Sequence, residues 1–411
     1  LTAPFAYQLV GIDPTQQAEI NLASFRRTNA SGWTLYAIRL TVAAGAIAVV
    51  LPYWEMVIGR VRRMGAALLF LVWAILSLLW TDSPTSSLNG VLALIPLLVT
   101  GYCMALRLPP HLFARSLIYA GAFVLFFSVI YVVALPKFGL HQANDAVQAV
   151  HAGAWRGVYG HKNVFGAMCA VAATMVILAN RYVLPSRLIK AMLLGSLGIG
   201  IVMSRSATAM AITVVAPVVA LLIVGLTVAQ RLVLALFVIP LGFAFFASLS
   251  YIFGLLGRDM TFTGRTTIWA YVPEALSHKP LAGYGYASTT FGNFIIEIYR
   301  AMGITNPHNG YINLALSVGL IGLTIFLASL FSSLRVGRRL YTLHSAMRDG
   351  GLVVSGVLVA WMISMLSESQ DKPLGPMAAF GFTAMGILVY REHGLATAPS
   401  GLGNDPASGP T

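Results

Sequence analysis

Residues 203–227 read MSRSATAMAITVVAPVVALLIVGLT: one arginine, then twenty-five positions without an ionisable side chain before Arg231. Ala207–Thr227 alone has the length a hydrocarbon layer demands of a helix, about 17–25 apolar residues. The whole chain repeats this pattern. Of its 411 residues 58% are hydrophobic and 9% charged, with a mean hydropathy of +0.80, whereas a soluble domain carries about 25% charged residues. The composition excludes a water-soluble fold and predicts an all-α polytopic membrane protein.

Working outward, apolar runs place spans at Trp33–Ile58, Met64–Trp80, Leu88–Leu106, Leu112–Leu135, Val164–Leu178 and Leu188–Met203 before the quoted run. Leu232–Leu256, Tyr311–Leu330, Leu352–Leu366 and Gly375–Tyr390 follow it. That is eleven, or twelve if a helix precedes Leu1. Residues 1–32 are too polar to span, residues 33–256 hold spans one to eight, and 257–309 form a long loop. Residues 310–390 hold the last three spans, and 391–411 read as a Gly/Pro/Ser-rich disordered tail.

Arginines and lysines crowd alternate short loops, at Arg60–Arg63, Arg107–Arg115, Arg181–Lys190 and Arg335–Arg348. The positive-inside rule assigns these to the cytoplasm with the C-terminus, and the 257–309 loop to the outside. The net charge of +13 is spread over many loops, which is a topology signal and not a nucleic-acid footprint. Cys103 and Cys169 lie inside spans and read as small packing residues.

Ionisable residues near the apolar layer carry the functional information, and the candidates fall on the outer side. WRGVYGHKNVFGAM (155–168) sets Arg156, His161 and Lys162 before a span that Asn163 could cap. Cations at a helix start form an anion site; snorkelling at the interface is the competing reading of Arg156 and Lys162. Arg205 fits a tight hairpin capped by Ser206 or Thr208, and binds an anion or simply marks the interface. FTGRTTIWAYVPEALSHKPLAGYGYAS (262–288) places Arg265 at a helix start. Ile268, Trp269, Val272, Ala275 and Leu276 form one apolar face, expected to lie on the membrane surface. Tyr284 and Tyr286 flank flexible glycines and suit sugar stacking or an interfacial belt.

NPHNGYINLAL (306–316) puts His308, Asn309 and Tyr311 at the start of an apolar helix. Pro307 is tolerated there, and the positive helix end favours a neutral imidazole able to accept a proton. GLIGL (319–323) reads as close helix packing. The outward acids, including Glu368 and Asp371, have no metal-ligand spacing; Glu368 or Asp371 could orient His308 or an arginine. External cations with one neutral histidine point to a phosphorylated lipid substrate. The cations would hold a departing diphosphate, and His308 would take the proton of an attacking hydroxyl. A lipid-linked sugar transporter would instead set charges near the midplane on broken helices.

GRTTIW, KPLAGYGY, HNGY and GLIGL, with GHKN and SRSATAM upstream, resemble the O-antigen ligase/polymerase superfamily in their order and shared side. The resemblance implies a bacterial inner-membrane glycosyltransferase of the GT-C type with a large periplasmic loop. It implies glycan transfer from undecaprenyl diphosphate to an acceptor hydroxyl, with no metal and no other cofactor. It assigns Arg205 and Arg265 to the donor diphosphate and His308 to acceptor activation. Lys162 becomes a substrate contact, and His161, Arg156, Asn309, Tyr311, Tyr284 and Tyr286 join it as candidate substrate neighbours. The implied partners are the lipid-linked glycan donor, a saccharide acceptor, membrane lipid, and a flippase and chain-length regulator. The motif set leans to a polymerase of the exopolysaccharide-production branch; a ligase acting on lipid A–core is the alternative.

Overall fold

The computed structural model describes residues 51–143, 151–227, 265–288, 307–343, 345–368 and 375–390, with a few isolated positions besides. In chain order the helices are α1 (Trp54–Val61), α2 (Gly65–Leu76), α3 (Pro84–Arg107), α4 (Pro110–Ala134) and the single turn α5 (Pro136–Gly139). Next come α6 (Lys162–Leu178), α7 (Arg187–Ser204), α8 (Ala207–Gly225), α9 (Arg265–Ala270) and α10 (Val272–His278). The last three are α11 (Gly310–Tyr341), α12 (Ser345–Met365) and α13 (Pro376–Ala384), which runs on as a 3-10 helix over Met385–Tyr390. One isolated antiparallel bridge, Leu140 with Trp155, is the only β pairing among the described residues.

Seven of the described helical segments are long and apolar enough to cross a membrane: Arg62–Leu79, α3, α4, α7, α8, α11 and α12; α6 and Met377–Tyr390 are shorter apolar helices. The fold is therefore an all-α, polytopic membrane architecture. The expected span Leu232–Leu256 lies largely outside the described residues, as do the first part of Trp33–Ile58, the expected N-terminal segment and the C-terminal tail.

Two helices form the centre. Every residue from Phe165 to Val176 of α6 is buried, as is every residue of α12 from Asp349 to Trp361. A helix apolar on all sides belongs inside a bundle, and α6 packs on α7, α8 and α12 while α12 also packs on α4, α8 and α11. Lipid tails are as apolar as leucine, so close packing rather than water exclusion holds such helices together. An aromatic cluster supplies much of it. Trp361 meets Phe326 at 5.3 Å and Phe382 at 4.8 Å between ring centroids, and Phe70 meets Phe326 at 5.4 Å. Each pair contributes about 0.5–1.5 kcal/mol beyond its contact area.

α11 breaks once, at Gly319 (φ 68°, ψ −178°). The break would strand backbone groups in an apolar layer, where each orphan costs several kcal/mol. The segment after α10 satisfies them. Tyr284 N–H donates to the Leu316 carbonyl (2.8 Å) and Gly285 N–H to Ser317 (2.7 Å). Leu320 N–H donates to the Pro280 carbonyl (2.9 Å) and Ile321 N–H to Leu281 (3.3 Å). The Trp73 indole N–H takes the Val318 carbonyl at 2.9 Å. The approach is so close that a Cβ on Gly319 would stand 2.0 Å from the Leu281 oxygen, and one on Gly283 2.4 Å from the Gly319 nitrogen. KPLAGYGY and GLIGL are thus two halves of one backbone joint, not a glycine hinge and a helix-packing stripe.

Two expectations about the outer loop change accordingly. Tyr284 and Tyr286 are 4% and 1% exposed. The Tyr284 hydroxyl donates to the Ala275 carbonyl (2.8 Å), and the Tyr286 ring packs edge-on to Phe70 at 5.8 Å. Their faces are filled by protein, so neither is a sugar platform or an interfacial belt residue. The apolar face of the 265–276 stretch is also turned inward: Ile268 and Ala275 are buried with Tyr284 and Leu316, and Trp269, Val272 and Leu276 pack against them. The start of α11, rather than the membrane surface, takes that face.

Candidate active site

Five segments meet at the end of the bundle that the basic loops predict to be the outer one: the 151–161 loop, the first turn of α6, the α7–α8 turn, the turn before α11 and the end of α12. The α7–α8 turn reverses through Arg205, whose φ of 50° and ψ of 35° are left-handed, and Ser206 caps α8 by accepting from Ala209 N–H. His308 has a φ of 49°. It stands just outside α11, because Asn309 is the cap and accepts from Tyr311 N–H (3.0 Å) and Ile312 N–H (3.1 Å). Only Ala287 joins these two as a non-glycine residue at positive φ among the described residues. Such backbone costs about 1–3 kcal/mol and concentrates at functional sites.

The first turn of α6 links the two strained residues. Lys162 Nζ donates to the Arg205 carbonyl at 3.0 Å, and one Arg205 guanidinium nitrogen donates to the Ala152 carbonyl at 3.3 Å. The neighbouring Asn163 reaches the other way, its side-chain amide donating to Glu368 Oε1 at 3.0 Å. The other Glu368 oxygen faces His308 Nδ1 at 3.4 Å. A continuous path of contacts therefore runs His308–Glu368–Asn163–Lys162–Arg205. A proton on Nδ1 shared with Glu368 makes Nε2 the basic nitrogen of the His308 ring.

The α6 N-terminus differs from expectation. His161, not Asn163, is the cap: its Nδ1 accepts from Asn163 N–H at 3.1 Å, and its carbonyl accepts from Val164 and Phe165. His141 Nε2 accepts from Lys162 N–H at 3.0 Å. The Lys162, Asn163 and Val164 N–H groups, which a helix start normally leaves open, are all taken. The anion cradle read from the sequence is closed as backbone, which leaves the Lys162 and Arg205 side chains as the cations at this helix start.

His141 and His151 were not singled out by sequence, yet with His161 they form a mutual edge-to-face triad, with centroids 5.3–5.6 Å apart. Burial, followed by the neighbouring His141, pushes His161 down to about 4, and burial lowers His151 with Lys162 and His141 adding to it. At neutral pH His151 and His161 are therefore an uncharged support behind two cations. The spacing His141, His151, His161 offers no signal, because ten-residue steps carry no periodicity to read.

The other candidates divide plainly. Arg156 is turned away: its guanidinium donates to the Phe138 (2.9 Å) and Lys137 (3.0 Å) carbonyls and staples the loop to α5. Asn309 and Tyr311 clamp α11 to α12 through the Leu366 (3.2 Å) and Met362 (2.9 Å) carbonyls. Arg265 opens α9, and the placement of its side chain lies outside the described residues. Its helix is nonetheless tied to the site, since the Trp269 indole donates to the Pro307 carbonyl at 2.9 Å, one residue before His308.

Residues 191–327 match the O-antigen ligase family model. The matched segment holds Arg205, Arg265 and His308 together, while Lys162, His161 and Glu368 lie outside it. Two curated relatives carry a provisional polysaccharide ligase name. One from Rickettsia typhi is 33% identical and one from Rickettsia felis 30% identical, each over 79 residues. Each alignment covers 17% of this chain and 19% of the relative, so about a fifth of the relatives' length is spanned. The O-antigen-ligase-like segment thus coincides with the helices that carry the strained arginine and histidine.

Proposed function

We propose that this protein is a lipid-linked oligosaccharide glycosyltransferase of the inner membrane, working at its periplasmic face on an undecaprenyl-diphosphate-linked donor. The observation that carries the reading is the contact path from His308 through Glu368 and Asn163 to Lys162 and Arg205. It joins an imidazole and two cations through one continuous set of contacts, which supports reading His308 as the base. In the proposed step the acceptor hydroxyl oxygen bonds to the anomeric carbon and its proton passes to His308. The bond from that carbon to the diphosphate breaks, and the pair of electrons leaves with the diphosphate. Arg205, Lys162 and Arg265 offset the charge that develops there.

The motif set favours polymerisation of repeat units, with a second lipid-linked glycan as acceptor. The family match and the relatives' names favour the ligase reading, in which lipid A–core or another acceptor receives the finished chain. Purified protein with undecaprenyl-diphosphate oligosaccharide alone separates them. A product ladder supports the polymerase, and product only after lipid A–core is added supports the ligase. Absence of any glycosidic product with either acceptor overturns both.

A further inference from the structure

The opposite end of α6 opens on a second polar feature that the transfer reaction does not use. A cavity of about 430 Å³ lies there, lined by Arg181 and Tyr182 after α6, Arg187 and Lys190 in the first turn of α7, and Arg348 and Asp349 in α12. It is separated from the candidate active site by the length of α6, roughly 25 Å at 1.5 Å per residue. Four cations and one acid line it. The acid is already committed: Asp349 is 2% exposed, accepts from the Asn180 side-chain amide at 3.4 Å and faces Arg348 Nε at 3.8 Å. Lys190 is committed too, donating to the last carbonyls of α6 at Ala179 (2.6 Å) and Ile177 (3.2 Å).

The three arginines remain exposed around the opening. Arg181 donates to the Tyr182 hydroxyl at 3.1 Å and lies over that ring at 5.0 Å, which holds its guanidinium beside the cavity. The positive-inside rule accounts for basic residues on this side, but it depends on their number in the loops and not on their position. It does not require cations from three separate segments to converge on one cavity, where like charges repel. An anion relieves that repulsion. The neighbouring surface says which anion. Leu188, Ile189 and Met192, interleaved with Arg187 and Lys190 on α7, are 70%, 44% and 63% exposed. That apolar strip beside the cationic mouth fits acyl chains.

We propose that this cavity binds the phosphate headgroup of an anionic phospholipid, with its acyl chains lying along α7. Basic pockets between transmembrane helices on this side commonly take such headgroups. The site would secure the α6–α7–α12 junction whose other end carries Lys162 and Glu368, and it stands independently of the glycosyltransferase reading.

The full-length protein in neutral detergent is titrated with short-chain phosphatidylglycerol, short-chain phosphatidylcholine and inorganic phosphate, and binding is followed by thermophoresis. Phosphatidylglycerol should bind about tenfold more tightly than phosphatidylcholine, the weight of one charge-assisted contact. The Arg187→Gln/Arg348→Gln double variant should lose that preference, while Lys137→Gln at the other end keeps it. Both arginines are exposed, so folding should survive; a matched melting temperature checks this. On unmodified protein, raising the ionic strength should erase the preference. A double variant that still prefers phosphatidylglycerol, or a preference that resists salt, overturns the proposal. Inorganic phosphate binding as tightly as the lipid overturns the lipid assignment and leaves a soluble phosphate site.

Discussion

The two ends of α6 hold similar charges in opposite ways. At the outer end Lys162 is fastened to the Arg205 carbonyl, Arg205 to Ala152, and Glu368 to both Asn163 and His308. At the inner end Lys190 is fastened to α6, whereas Arg187 and Arg348 stand exposed around a cavity. Fixed charge suits chemistry, because a group already in place needs no reorganisation when charge develops on the substrate. Charge gathered around an open cavity suits recognition of a headgroup that exchanges with the surrounding membrane. The comparison predicts that substitutions at the outer end cost turnover and those at the inner end cost lipid preference.

The sharpest test of the outer end is His308→Ala. Loss of a general base should lower glycan transfer by about 10²–10⁴-fold, with donor binding retained in a lipid-donor binding assay. Turnover close to that of the unmodified protein would remove His308 from the chemistry and erase the contrast between the two ends. Arg205→Ala comes next. A hydrogen bond to a charged group is worth about 1.5–3 kcal/mol, so kcat/KM for the lipid donor should fall about ten- to hundredfold. Unchanged kinetics would reduce Arg205 to a topology residue.

Glu368 should matter less, and differently. In the proposed mechanism it is a positioning residue, acting through its contacts with His308 Nδ1 and Asn163. Glu368→Gln keeps the shape and removes the charge, so kcat should drop about tenfold with KM for the donor little changed, the loss expected for one charge-assisted hydrogen bond. Glu368→Asp should recover part of the loss. A change confined to KM or to melting temperature would make the residue a helix tie and not a partner of the base.

What could be read from the chain follows from the range over which each signal acts. The spans were legible because apolar length is a local property: Leu112–Leu135 was expected and Pro110–Ala134 is observed. α11 outran its expected end at Leu330, since hydropathy fades at Ser332, Ser333 and Arg335 while the helix continues to Tyr341. Arg205 and His308 stood out because a charge or imidazole beside an oily run is unusual in itself. The Glu368 contact was only half visible, as sixty residues separate it from His308. The histidine triad and the Gly283–Gly319 joint were invisible, because each exists only where distant backbone segments touch. Tyr284 and Tyr286 misled for the same reason: the residue type suits an interface, and only the joint at Gly319 buries it.

The triad allows the gentlest test, through pH. His161 is pushed down to about 4 from the usual 6.5, first by burial and then by His141. Between those values an unfolded chain takes up a proton that the folded chain refuses, so the stabilisation is complete above about 6.5 and is lost as pH falls towards 4. Protonation would also deprive Asn163 N–H of its acceptor at Nδ1, a helix cap worth about 1 kcal/mol. The melting temperature in detergent should therefore fall by about 1–2 °C between pH 7 and pH 5, the scale set by roughly 1 kcal/mol in a chain of this size. His161→Asn keeps a good cap and removes the titration, so it should show a smaller acid-induced fall than the unmodified protein. An equal fall in both would place the acid sensitivity elsewhere, and would break the idea that the outer end of α6 is held rigid by neutral imidazoles.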